Sequence, residues 1–257
     1  MSKLAEKDKF LDLSDYGRPF GKAIALLLKD TQFTPIHVTL LFGISGLIAV
    51  FCILNHYYFA AGFFLILKSI IDAADGELAR IKNTPSYSGR YLDSIFDIIL
   101  NFIFFMVICH VSNTSFWLTI LAFFGIQLQG TLYNHYYVIL RNKSIGGDST
   151  SKIFEYKSPK ALPGESQKSV DILFKIYTIV YGIFDKIIHF FDKEAYKVKT
   201  FPNWFMTSIS VFGLGFQLLI IAIMLPLNLI EFIIPFFIFF SLFIFFFISI
   251  RKRFIKS

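Results

Sequence analysis

Apolar residues run in long blocks along this chain, and the polar residues that interrupt them cluster at the block ends. Five or six blocks approach the roughly 20 apolar residues needed to cross a bilayer, and spans are placed near 36–54, 57–75, 91–111, 116–140, 204–225 and 229–250. Two further stretches carry a narrower pattern. Between 171 and 193, Asp171, Lys175, Thr178, Gly182, Asp185, Lys186, His189, Asp192 and Lys193 form a polar stripe at helical period on an otherwise apolar segment. That pattern predicts an amphipathic helix lying in the membrane interface. Residues 3–30 are a second, more charged candidate of the same kind. A seventh span over 171–193 is the rival reading, but it would bury Lys175 and Asp185. Residues 142–169, with Gly146, Gly147, Pro159, Pro163 and Gly164, read as a loop.

Composition agrees with this pattern. Of 257 residues, 55% are hydrophobic and 34 are Phe, above the 45–50% apolar content of ordinary soluble domains. The expected fold is therefore all-α: an integral membrane bundle of six transmembrane helices with amphipathic interfacial helices. Its parts are an N-terminal amphipathic segment (1–34), spans one to four (35–141), a loop with an interfacial helix (142–200), and spans five and six with a basic tail (201–257). No cleavable secretory signal is expected, because 1–30 is charged and lacks an apolar core followed by a small-residue cleavage site.

Charge placement sets the expected orientation. The connections 55–56, 112–115 and 226–228 contain no Lys or Arg. The opposite side collects Arg80, Lys82 and Arg90, the stretch from Arg141 to Lys199, and Arg251, Lys252, Arg253 and Lys256. The positive-inside rule puts both termini on the cytoplasmic side, and the basic loop would attract anionic lipid head groups. Basic residues in loops and tail rather than on one folded face argue against nucleic-acid binding. Cys52 and Cys109 each sit in an apolar run with no CxxC pairing and read as packing residues.

The chemistry is concentrated between 68 and 97. Asp72 and Asp75 are three apart at the end of the second span and share a helix face; Gly76 and Ala79 continue it. On the third span Gly89, Asp93 and Asp97 recur every four residues. Helices facing each other across the short 80–90 turn would bring four carboxylates together at the cytoplasmic edge. Each ionised Asp in hydrocarbon costs about 2.5–3.5 kcal/mol, so something positive has to compensate. Lys68, Arg80 and Arg90 do so in part, whereas two divalent cations would neutralise the set. An all-oxygen donor set without clustered Cys or His favours Mg²⁺, Mn²⁺ or Ca²⁺ over zinc, and paired hard cations suit displacement at phosphorus. The small residues Gly76, Ala79 and Gly89 would let a flat ring or a diphosphate approach the backbone, or simply allow close helix packing.

The string Asp72-x₂-Asp75-Gly76-x₂-Ala79-Arg80-x₈-Gly89-x₃-Asp93-x₃-Asp97 resembles the complete signature of the CDP-alcohol phosphotransferases, with all eight fixed positions and spacings present. The likeness extends to six spans, an amphipathic N-terminus and a Thr-Pro start to the first span, and is weakest over 142–200. The resemblance implies transfer of a substituted phosphate from a CDP-linked donor to an alcohol or lipid acceptor, with release of CMP. It implies two divalent cations, Mg²⁺ or Mn²⁺, held by Asp72, Asp75 and Asp93, with Asp97 near them as the proposed general base. A carboxylate so close to two cations is a poor proton acceptor, so Asp97 orienting the hydroxyl is the alternative. Gly76, Ala79, Arg80, Gly89 and Thr39 would contact the nucleotide or its phosphates. Ile36 stands where many relatives carry Asn, so a nucleotide contact there is not expected. The active site would face the cytoplasm, and a homodimer is expected from the resemblance alone.

Outside the signature, Lys68 either pairs with Asp72 or contacts a phosphate. Gln127, Thr131, Asn134 and His135 place polar groups on neighbouring turns of the fourth span, where intramembrane polar groups are functional candidates; Asn134 and His135 are candidate acceptor contacts. Glu231, near the opposite face, reads as interfacial. The leading function is a phosphatidyltransferase using CDP-diacylglycerol. The reversed arrangement, CDP-choline or CDP-ethanolamine donating to diacylglycerol, is the alternative within the family. From other classes, a divalent-cation transporter would also gather buried acids but would not need the Gly and Ala positions or Arg80, and the intact acid set argues against a catalytically silent scaffold.

Overall fold

A computed structural model of the chain describes residues 4–5, 8–144, 155 and 157–255. Gly146, Gly147 and Lys256 lie outside the described residues. Among those described there are helices and no strand. They are α1 (Arg18–Leu28), α2 (Pro35–Leu54), α3 (Tyr58–Ile81), α4 (Tyr87–Ser112), α5 (Phe116–Ser144), α6 (Gln167–Phe191), α7 (Asn203–Ile209), α8 (Leu214–Met224), α9 (Ile230–Phe240) and α10 (Phe243–Phe254).

Local sequence explains the helix starts. At α2, Thr34 accepts from the His37 backbone N–H while the His37 ring accepts from the Thr34 N–H, with Pro35 in the first turn, where its missing N–H costs nothing. At α4, the Ser86 hydroxyl accepts from the Gly89 N–H at 2.7 Å. Asn113, in the left-handed conformation at φ 52°, ends that helix, a geometry Asn tolerates better than most side chains.

Among the described residues, four helical stretches are long and apolar enough to cross a membrane: α2, α4, α5 and Ile230–Phe254, which holds α9 and α10. The pair Asn203–Phe212 and Leu214–Met224 makes a fifth if counted as one broken span. The continuous helix expected over 204–225 is thus bent by 52°. A 3₁₀ turn at Ser210–Phe212 leads into Gly213, whose extended backbone (ψ 146°) ends one helix and starts the next. The segment expected at 57–75 is longer, running as α3 to Ile81; Lys68, Asp72 and Asp75 lie within it. The N-terminal helix covers only 18–28 of the expected 3–30, preceded by a 3₁₀ turn at Leu13–Asp15. At the other end of the loop expected over 142–169, α5 continues to Ser144 and α6 begins at Gln167.

The long helices pack around a core that includes Phe42, Leu65, Phe104, Phe105, Ile126, Leu218 and Phe237. Outward-facing Ile44, Leu47 and Phe51 on α2, Phe59 and Phe63 on α3, and Leu118 and Leu121 on α5 are exposed. An exposed apolar belt of that extent suits lipid rather than water. Helix α3 packs against α1, α2 and α8, and α4 against α2, α5, α6 and α9. Helix α6 therefore docks on the bundle, burying Val170, Phe184 and Ile188. Cys52 and Cys109 are free thiols, the first buried.

Candidate active site

Helices α3 and α4 bring the signature acids together. One carboxylate oxygen each from Asp72, Asp75 and Asp93 lie within 4.8 Å of one another. Asp97 is one turn further along α4 and is ion-paired with Lys68, which also lies 3.4 Å from Asp72. The Lys68 ammonium is fully buried and sits 4.6 Å from the centre of the Phe42 ring. The i,i+4 partner Asp72 is therefore the weaker contact; the closer one comes from the facing helix.

Thr39 on α2, also buried, donates to Asp75 Oδ2 at 2.8 Å and to the Pro35 carbonyl at 3.2 Å. It holds an acid rather than standing free for a nucleotide. Asp93 Oδ1 is buried with no hydrogen-bond partner among the described residues. A buried, unpartnered carboxylate oxygen among other carboxylates lacks its compensating charge. The donor set is all oxygen and geometrically convergent, so these residues fit a hard divalent cation.

Arg80 pairs with Glu77 at 2.7 Å, and Glu77 in turn lies 3.7 Å from Arg18. Arg80 Nε is buried and has no hydrogen-bond partner among the described residues. Gly76 and Ala79 are half-buried on the adjoining face of α3. At Gly89, a Cβ would come within 3.1 Å of the Ser86 hydroxyl that caps the helix, so a side chain would press on the cap.

The start of α4 is also held from outside. Glu165 accepts from Ser86 Oγ at 2.8 Å, from the Ser88 N–H at 2.7 Å and from the Tyr87 N–H at 3.2 Å. Burial opposes its charge, but these hydrogen bonds outweigh burial and hold its carboxyl below the usual range. Glu155 adds an ion pair to Arg90 at 2.7 Å and accepts from Tyr91 at 3.1 Å. Nothing in the sequence pattern singles out Glu155 or Glu165.

A cavity of about 350 Å³ opens beside the acids, between α4, α5, α6, α8 and the N-terminal turn. Asp72, Asp93 and Asp97 form one end of it. Asn101 extends the four-residue stripe of Asp93 and Asp97 into the cavity, a continuation visible in the spacing. Gln127, Thr131 and Asn134 line it from α5, whereas His135 is not among its lining residues. One residue further round the helix, His135 turns toward Tyr136, ring centres 5.8 Å apart. The N-terminal turn supplies Asp12, Ser14 and Asp15. Its placement depends on Gly213 and Gly215, where any Cβ would overlap Ser14, and on the Leu13 N–H donating to Ser210 Oγ at 2.9 Å. The helical break between α7 and α8 thus seats a wall of the site.

A family model described as CDP-alcohol phosphatidyltransferase matches residues 33–243. The CDP-diacylglycerol–serine O-phosphatidyltransferase of Saccharomyces cerevisiae is 34% identical over 70 residues, covering 24% of this chain and 25% of that protein. The matched region thus spans about a quarter of this curated relative.

Proposed function

The chain belongs to the CDP-alcohol phosphatidyltransferase family, and from that premise we propose that it moves a phosphatidyl group from CDP-diacylglycerol to a small alcohol, releasing CMP. The observation that carries this reading is the convergence of Asp72, Asp75 and Asp93 within 4.8 Å, beside Asp97 and at the end of a polar cavity. The activity for which the yeast relative is named supports the choice of donor.

In this reading, Asp72, Asp75 and Asp93 hold two divalent cations, Mg²⁺ or Mn²⁺, with Asp97 adjacent. Such ions would supply Lewis-acid polarisation of the phosphate oxygens and offset the acids' repulsion. Thr39 fixes the Asp75 carboxylate through its hydroxyl, leaving the other oxygen free to ligate. Arg80, anchored by Glu77, offers its unpartnered Nε to a phosphate oxygen of the donor. The bare flank at Gly76, Ala79 and Gly89 admits the cytidine end.

The acceptor oxygen forms a bond to the phosphorus that carries diacylglycerol. The bond from that phosphorus to the CMP oxygen breaks, and CMP leaves with the electron pair. Asp97 receives or orients the hydroxyl proton, and Lys68 takes up the carboxylate again when the site empties.

The membrane arrangement is part of the proposal: six spans, with α3 added to the five apolar ones, and both termini and the acids on the cytoplasmic side. Arg141 on α5 is repelled by Arg80, Arg90 and Arg18, and this grouping of positive charge supports a cytoplasmic side for that end under the positive-inside rule. The homodimer is carried over from the family resemblance.

The test is a donor swap with detergent-purified protein. CMP release from CDP-diacylglycerol with Mn²⁺ and L-serine, and none from CDP-choline with diacylglycerol, is the expected result. The opposite pattern reverses which partner is lipid. Cation flux in proteoliposomes with no CMP from either donor would replace the enzyme by a transporter.

A further inference from the structure

We propose that the cavity beside the acids is the acceptor subsite and that it selects a small alcohol bearing a cationic amine over a phosphorylated one. This rests on the transferase reading and goes further, since it names the acceptor's chemistry and the residues that recognise it.

Charge is the first observation. Six aspartates line the cavity (Asp12, Asp15, Asp72, Asp93, Asp97 and Asp185), and no Lys, Arg or His is among its lining residues. Cations held by the signature acids would neutralise one end, and Asp15 is ion-paired with Arg18. Two acids remain. Asp12 sits at the wall, where it accepts from Tyr133 at 2.5 Å and from Ser14 at 2.7 Å. Asp185, on α6, has no hydrogen bond or ion pair among the described residues. A pocket lined by one sign of charge concentrates the opposite sign and rejects its own. An ammonium is favoured here; a phosphate monoester is not.

Unmet hydrogen bonding is the second, independent observation. Among the described residues, Gln127 Nε2 and Thr131 Oγ1 have no hydrogen-bond partner, and their residues are 4% and 6% exposed. They are one turn apart on α5 and both line the cavity. Buried polar groups are nearly always satisfied, so this pair is built for a polar ligand. It suits the hydroxyl, or a second polar group such as a carboxylate, of a small molecule.

Size and lining agree. A volume of about 350 Å³ is at the small end of ligand pockets, and Ile126 and Leu214 are the lining aliphatic residues. Acyl chains do not belong in it. An amino alcohol with its ammonium near Asp12 and Asp185 and its hydroxyl toward Asp97 reaches the phosphorus at the acid end.

The experiment measures Mn²⁺-dependent CMP release from CDP-diacylglycerol with ethanolamine, L-serine, ethylene glycol, glycerol 3-phosphate and inositol 1-phosphate. The expected result is a KM for one amino alcohol at least tenfold below that of every acceptor without an amine. Gln127→Leu, Thr131→Val and Asp185→Asn should each raise that KM about tenfold or more, with a smaller change in kcat. Thr131→Ser should restore it, and melting curves check folding. Preference for a phosphorylated alcohol, or variants whose KM stays within twofold, overturns the inference and leaves the transferase reading standing. No CMP with any acceptor overturns the transferase reading, and the inference falls with it.

Discussion

Lys68 is buried among acids and under an aromatic ring, with its charge shared between Asp97 and Asp72. Spacing along α3 identifies Asp72 as a partner but says nothing of how α4 is rotated, so the closer pairing with Asp97 was not legible. The acids themselves were legible, because spacings of three and four put carboxylates on one helix face whatever the packing. Thr39 was expected to contact the nucleotide or its phosphates; its contact with Asp75 depends on the crossing of α2 and α3 and was not legible. Two outcomes are expected here. Asp93→Asn should lower CMP release at least a hundredfold without loss of the folded state, read by turnover alongside a melting curve. Thr39→Val removes the hydrogen bond that orients Asp75 and should weaken apparent Mn²⁺ affinity about 10- to 100-fold, the range for support of a metal ligand, read by activity against free Mn²⁺.

At the scale of elements, the start of α4 is held by a carboxylate far away in sequence. Glu165 and Ser86 together satisfy the backbone donors of Tyr87, Ser88 and Gly89, which a helix otherwise leaves open. Glu165→Ala should cost about 1 kcal/mol, the usual worth of a cap, and speed hydrogen exchange at Tyr87 and Ser88. The pH dependence has a definite sign. Since the folded carboxyl lies below its ordinary value, near 4.3, its contribution is complete above that value and lost as pH falls through the folded one. The protection of those two amides, measured relative to their intrinsic exchange rates, should therefore fall on acidification in the native chain and not in Glu165→Gln.

A second tie joins α10 to the end of α6. Arg251 is ion-paired with the fully buried Asp192, and Tyr136 donates to the same carboxylate at 2.6 Å. Removing one partner strands a buried charge, at a cost of about 3–5 kcal/mol. Asp192→Asn alone should therefore destabilise more than Asp192→Leu combined with Arg251→Met, measured by thermal melting. Sequence reading placed Asp192 on a polar stripe and Arg251 in a basic tail; the loops between hide their meeting. The break at Ser210–Gly213 was hidden for a related reason, since an apolar run reads alike whether straight or bent.

For the whole molecule, apolar run lengths revealed a helical membrane protein, and five of the six expected segments reappear as long apolar helices or a broken pair. The other, α3, carries the site. Its Lys68, Asp72 and Asp75 make it a poor membrane segment by composition and the central element by chemistry, with α1, α2 and α8 packed around it. The cavity was the least legible feature, because its walls come from α4, α5, α6, α8 and a turn near the N-terminus. No single stretch of sequence announces it.

The central claim is that the converged carboxylates of α3 and α4 drive metal-dependent transfer from a CDP-linked lipid. The most direct measurement is CMP release by purified protein given CDP-diacylglycerol and L-serine, titrated with Mn²⁺ and repeated with EDTA and with Asp93→Asn. The account predicts release that saturates with Mn²⁺, stops with EDTA and is lost in the variant. Release that persists in EDTA, or in well-folded Asp93→Asn, would contradict it.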